Sequence, residues 1–189
     1  MLGRERQHWI ICTKVGEEFE NGQSRFDFSA DHVRLSIERS LKRLNTDYLD
    51  MVLVHSNGDD MAILEQYGTL EALNDLKKAG LIRATGMSTK TVEGGIEALR
   101  QSDCAMVTWN LNEQGEKAVL DYAAASGKAI LVKKALASGH LINGDDPLQQ
   151  AMDFVFSHGG VTSTVLGTIN PQHMVQNCLA VRQALGFGN

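Results

Sequence analysis

Short apolar runs alternate with helix-period segments along almost the whole chain, and this leaves few folds open. The runs are "HWIICT" (8–13), "YLDMVLV" (48–54), "LIRATGM" (81–87), "AMVTW" (105–109), "AILVK" (129–133) and "VTSTVLG" (161–167). Each has the length of a buried strand. Between them, "SADHVRLSIERSLKRLN" places Val33, Ile37, Leu41 and Leu44 on one helical face, with Ser29 or Asp31 as its cap. "TLEALNDLKKAG" has Thr69 as a candidate cap and stops at Gly80. "TVEGGIEALRQS", "EQGEKAVLDYAAASG", "DPLQQAMDFVFSHGG" and "NPQHMVQNCLAVRQALG" continue the pattern. Strand and helix repeated six times predict parallel strands joined by right-handed helical crossovers.

Two architectures fit this alternation: an open doubly wound sheet and a parallel (β/α) barrel of the TIM type. No GxGxxG follows the first run, which removes the best support for the doubly wound sheet. The chain has 189 residues and only 2 prolines, with no linker or low-complexity tract, so a single domain over 1–189 is expected. A net charge of −5 argues against nucleic acid as a partner, because binding phosphates needs a basic face. The basic residues of "SIERSLKRL" are interleaved with apolar ones and read as the solvated side of a helix. The apolar runs are far shorter than a membrane span, and "MLGRERQHWIICTK" has no signal-peptide layout. Cys12, Cys104 and Cys178 share no CxxC spacing. Free thiols in a reducing compartment are expected, hence a cytoplasmic protein without a membrane partner.

The exits of the runs are polar. Lys14 ends the first, His55 the second, Ser88 and Thr89 the third and Asn110 the fourth. Lys133 and Lys134 end the fifth, and Gly167, Thr168 and Asn170 the sixth. A barrel gathers its chemistry at the C-terminal ends of its strands. The stretch "TDYLDMVLVHSNGDD" is the sharpest case, apolar from Leu49 to Val54 and then closed by an imidazole. His55 is either a rim histidine bonded to backbone or a catalytic group.

At these positions the sequence resembles the aldo-keto reductases, which are (β/α)₈ barrels. "CTKVG" looks like the family's third-strand lysine motif, and "SIERSLKRLNTDYLDMVLVH" is similar to the helix and fourth strand that deliver its histidine. "LKKAGLIRATGMST" resembles the helix and fifth strand that present a polar pair to the nicotinamide amide. "TWNLNE" looks like the sixth-strand exit and "VKKALASGHL" the seventh. "GTINPQHMVQN" is similar to the segment that holds the adenosine phosphate end of NADP(H).

The resemblance implies an oxidoreductase that uses NADP(H) or NAD(H) to reduce an aldehyde or ketone to an alcohol. In the family a tyrosine donates the proton, a lysine held by an aspartate lowers the tyrosine's pKa, and a histidine orients the carbonyl. Lys14 and His55 match the last two side chains as catalytic residues. Ser88 matches a cofactor-binding serine, and Thr89 stands where asparagine is usual. Met106 stands where a glutamine often contacts the carboxamide, and Lys133 where many members stack a tyrosine on the nicotinamide. Gly167, Thr168, Asn170, His173 and Asn177 match the adenosine-phosphate segment, with His173 in place of a frequent arginine. Asn170 followed by Pro171 also reads as a plain helix start. A helix N-terminus is itself an anion site, so both readings hold together.

The match begins at the family's third strand. The first two strands, which carry the aspartate and the tyrosine, have no counterpart before His8, so the chain looks like a truncated member that is inactive alone. Tyr48 lies at the start of its run, and Tyr67 and Tyr122 lie on helical segments. A six-strand arc would also leave two unpaired edges, near Ile10 and Val165, through which the chain could self-associate. The competing reading is a non-catalytic protein of the same fold that binds a nucleotide or a partner. A third is a barrel aldolase using Lys133 or Lys134 as a Schiff-base amine. For the oxidoreductase, a small-molecule carbonyl or alcohol is the expected substrate class.

Overall fold

The computed structural model describes residues 3–137 and 145–187; residues 138–141 of the "VKKALASGHL" motif lie outside them. Two compact units divide the chain, Met1–Ala105 and Met106–Asn189.

In the first unit a 3₁₀ turn at Gly3–His8 leads to β1 (Cys12–Val15). The apolar run 8–13 predicts a strand from His8, but the ladder begins at Cys12, opposite Met51. Trp9 and Ile10 precede it and are exposed. Next comes a feature with no counterpart among the expected elements, an antiparallel hairpin of β2 (Glu17–Glu20) and β3 (Gln23–Phe26). Gly16 makes it possible. Its φ of +97° turns the chain out of β1, and its carbonyl accepts from the Asp27 N–H at 2.9 Å to close the hairpin base.

α1 (Ala30–Leu44) is capped by Ser29, whose hydroxyl accepts from the His32 N–H. It delivers β4 (Leu49–His55), which lies parallel between β1 and β5 (Ile82–Ser88). α2 (Asp60–Gln66), α3 (Thr69–Lys78) and α4 (Val92–Gln101) complete the unit. Gly68, not Thr69, caps α3. The Thr69 hydroxyl donates to the Phe28 carbonyl at 2.6 Å instead, tying the helix to the segment after the hairpin. Val33 and Ile37 of α1 join Val52, Val54, Leu73 and Met87 in one buried cluster. Full burial of one such side chain contributes about 1.5–3 kcal/mol, so the cluster holds β4 and β5 firmly under the helices.

β6 (Cys104–Thr108) begins in the first unit and ends in the second. With β7 (Ala129–Lys133) and β8 (Ser163–Thr164), the strand order is β1-β4-β5-β6-β7-β8 and follows the sequence. In the second unit, α5 (Lys117–Ser126) connects to β7 (Ala129–Lys133), which pairs parallel with β8 (Ser163–Thr164). α6 (Pro147–Ser157) and α7 (Pro171–Ala184) follow β7 and β8 respectively. The run 161–167 yields a strand of only 2 residues. Trp109 is buried and stacks on Phe154, with ring centroids 5.1 Å apart. Gly160 is required where it stands, since a Cβ there would lie 2.3 Å from the Leu120 carbonyl oxygen.

Candidate active site

Side chains alternate along a strand, so β4 sends Val52 and Val54 to the helix-side core and Leu53 and His55 to the other face. The register then fixes their neighbours. Lys14 pairs with Leu53, and Leu53 with Gly86; His55 pairs with Ser88. Lys14, His55 and Ser88 thus share one face at the C-terminal ends of three adjacent parallel strands. Lys14 and His55 sit two residues out of step on neighbouring strands, a Cα separation of about 8 Å. The Ser56 N–H donates to the Ser88 carbonyl at 3.4 Å and continues the ladder past the strand ends.

The hairpin brings a residue that no local pattern singled out. Glu17 and Glu18 point to opposite sides of β2. Glu18 pairs with Arg39 and lies 3.4 Å from His32 Nε2, which fastens the hairpin to α1. Glu17 places Oε2 against Nδ1 of His55. The Ser24 hydroxyl donates to the other Glu17 oxygen at 2.5 Å. That hydrogen bond holds the Glu17 carboxyl below the usual carboxylate range; burial opposes the shift, and His55 and Lys90 reinforce it. "EE" directly after the lysine motif was the only available sequence signal.

Asp60 was equally hidden. It is 1% exposed and joins the segments leaving β4 and β5. One oxygen accepts from the Ser56 hydroxyl. The other accepts from the Lys90 N–H at 2.9 Å, the Thr91 N–H at 2.8 Å and the Thr91 hydroxyl at 2.7 Å. Ser88 and Thr89, the expected cofactor pair, lie just before that anchor and are buried. Gly94 packs so tightly on Asp60 that a Cβ would come within 2.2 Å of the Asp60 Cβ.

In the second unit Asn110 leaves β6 and donates through Nδ2 to the Lys134 carbonyl at 3.0 Å. Lys133 ends β7, and Lys134 beyond it takes a left-handed φ of 56°. Met106 is buried within β6. Past β8, the Asn170 N–H donates to the Thr168 hydroxyl at 3.1 Å, and Asn170 Oδ1 accepts from the Gln172 N–H at 2.9 Å. This is the cap of α7, with Pro171 in its first turn, as expected. His173 is exposed in that first turn. Gly167 has open space on its side-chain side. Asn177, one turn further, is buried and lines a cleft of about 440 Å³ with Thr164, Leu166, Met174 and Cys178.

The three tyrosines are engaged elsewhere. Tyr48, at the start of β4, lies between the guanidinium groups of Arg6 and Arg83, 4.0 and 3.9 Å from its ring centre. Tyr67 caps the end of α2 and packs on Phe28, and Tyr122 lies within α5. Among the described residues no cluster of three His, Cys, Asp or Glu side chains could hold a metal. No helix among them is long and apolar enough to cross a membrane.

Residues 2–146 match the model of the aldo/keto reductase family. The methylglyoxal reductase DkgB of Salmonella typhimurium is 34% identical over 144 residues, 72% of this chain and 49% of that protein. The D-arabinose 1-dehydrogenase of Saccharomyces cerevisiae is 41% identical over 86 residues, 44% of this chain and 24% of that one. The chain thus spans about half or less of the length of these curated relatives. A solved structure from Pseudomonas aeruginosa, assigned to the aldo-keto reductases, is 54% identical with a TM-score of 0.92, covering 97% of this chain and 71% of that one. The expected fold class, six parallel β/α units of the TIM-barrel type, accords with that likeness. This chain belongs to the aldo/keto reductase family.

Proposed function

We propose that the chain carries Lys14, His55 and the cofactor-binding residues of an oxidoreductase that interconverts a small aldehyde or ketone and its alcohol with NADP(H) or NAD(H). The observation that supports it best is the shared face of Lys14, His55 and Ser88 at the C-terminal strand ends. The nicotinamide, when bound, supplies or takes the hydride. His55 orients the carbonyl oxygen, and Lys14 provides positive charge where the oxygen gains negative charge. Ser88 and Thr89 serve the carboxamide, and Lys133 lies near the ring in place of a stacking aromatic. Gly167, Thr168, Asn170, His173 and Asn177 serve the adenosine phosphate end. The exposed His173 and the open side of Gly167 suit a phosphate at the α7 N-terminus. Lacking the planar fork of an arginine, His173 grips a 2′-phosphate less firmly, which blunts preference for NADP(H).

None of the three tyrosines stands at the strand exits, so turnover by the 189-residue chain alone is negligible in this reading. The test has two stages. Titration with NADPH and NADH measures binding to the chain itself. Activity with methylglyoxal, the substrate class of one relative, is then measured after supplying the part of the Pseudomonas aeruginosa protein that this chain does not cover. Restored turnover that Lys14→Met or His55→Ala reduces at least a hundredfold supports the proposal. The tyrosine positions also favour a second reading, a non-catalytic nucleotide-binding protein; cofactor binding without turnover in the complemented protein would establish it. Both readings keep one domain over 1–189, and the three free thiols suit the cytoplasm.

A further inference from the structure

We propose that Glu17 sets the protonation state in which His55 meets a substrate: with the carboxylate against Nδ1, His55 donates from Nε2 only as the imidazolium. The substrate role of His55 rests on the function proposed above, whereas its pairing with Glu17 does not.

A neutral imidazole carries one proton, and the partner of one nitrogen decides the state of the other. An Nε2–H tautomer would turn the Nδ1 lone pair onto the Glu17 carboxylate, which repels it. The Nδ1–H tautomer donates to that carboxylate. Neutral His55 is therefore the Nδ1–H form, and its Nε2 is an acceptor. A carbonyl oxygen offers only lone pairs, so this neutral form cannot hold one. Protonation makes both nitrogens donors. An adjacent carboxylate favours that charged form, and Glu17 is in contact with the ring.

The surrounding charges act in both directions. Lys14 on β1 shares the face of His55, and Lys90, beyond β5, acts on Glu17; both oppose the imidazolium. Asp60, anchored beneath the same exits through Ser56, favours it from further away. Glu18 faces α1 and is engaged by Arg39 and His32. Glu17 is the group in contact, and Ser24 across the hairpin holds it there. A carboxylate at this place is a consequence of the hairpin: Gly16 turns the chain out of β1, and strand alternation sends Glu17 to His55 and Glu18 to α1.

Imidazole proton–nitrogen correlation spectra of the ¹⁵N-labelled full chain, recorded against pH, test this directly. His55→Gln assigns the signals among the 6 histidines. The expected result is a neutral His55 protonated at Nδ1. In Glu17→Gln the amide oxygen still accepts from Nδ1, so the tautomer persists while the titration midpoint moves to lower pH. In Glu17→Ala the midpoint moves down and the Nε2–H form gains population. A neutral Nε2–H form in the unsubstituted chain overturns the proposal, as do midpoints unchanged in both variants. The first of these readings needs no substitution at Glu17. In the complemented enzyme, kcat/KM falls as pH rises through the His55 midpoint, and Glu17→Gln moves that limb to lower pH. If the spectra behave as expected and no carbonyl is reduced, the pairing stands and the oxidoreductase assignment of these residues falls.

Discussion

Replacing Asp60 is the most informative perturbation of the scaffold. Its carboxylate accepts from two backbone N–H groups, Lys90 and Thr91, and from the hydroxyls of Ser56 and Thr91. In Asp60→Ala both N–H groups lose their acceptor in a site that is 1% exposed at the aspartate. Each such loss costs about 1–3 kcal/mol, and part is regained because no charge is buried any longer, so the net cost is about 3 kcal/mol. Asp60→Asn behaves differently. Its single oxygen can face Lys90 and Thr91 while its amide donates to the Ser56 hydroxyl. Only the charge-assisted share of the hydrogen bonds is lost, about 1–2 kcal/mol. For a chain of this length 1 kcal/mol corresponds to about 2–4 °C in Tm. Thermal denaturation followed by circular dichroism should give a fall of about 10 °C for the alanine variant and about half of that for the asparagine. Equal losses in the two variants, or an alanine variant within about 2 °C of the original, would refute the reasoning.

Gly86 lies between Leu53 and Cys104, and a Cβ there would come within 2.3 Å of the Cys104 carbonyl oxygen and 2.8 Å of Leu53 Cδ2. Gly86→Ala should therefore cost about 3 kcal/mol in urea denaturation; a loss under about 1 kcal/mol would mean the strands yield. Burial raises the Asp103 carboxyl, but Lys77 at 2.6 Å and the Thr85 N–H at 2.8 Å outweigh it and leave the group below its ordinary value. A depressed carboxylate contributes stability that is full above its unfolded value, about 3.9, and is lost as pH falls through the folded one. Asp103→Asn should flatten the acid limb of Tm against pH below about pH 4, and parallel curves would contradict this. β1 and β8 end the strand order, with Ile10 84% and Val165 52% exposed. Sedimentation should show self-association that Ile10→Lys and Val165→Lys reduce; a monomer at all concentrations would count against it.

The elements were legible where the signal is local. The alternation of apolar runs and helical periods gave six parallel strands in order, and the caps at Ser29 and Asn170 followed from side chains that reach their own helix N-terminus. His55 at the close of an apolar run marked a strand exit, because burial ends where the ladder does. Strand ends without a strong local signal were not legible. β1 starts at Cys12 because its partner Met51 lies 39 residues away, a matter of register. β8 is confined to Ser163–Thr164, the described residues that pair in register with Leu131 and Val132.

The sequence by itself determined the succession of strands and helices, the residues at their exits and, through ordered motifs, the family. Only the tertiary structure decided what those exits touch. Glu17 reaches His55 from 38 residues away, through a hairpin whose polar residues carry no core-facing pattern. Asp60 reads as an ordinary helix start, yet it binds the backbone of Lys90 and Thr91, some 30 residues further on. Periodicity and capping act within a few residues and are written into the chain. A carboxylate's partner depends on register and on where a turn folds back, which is settled only when distant segments pack.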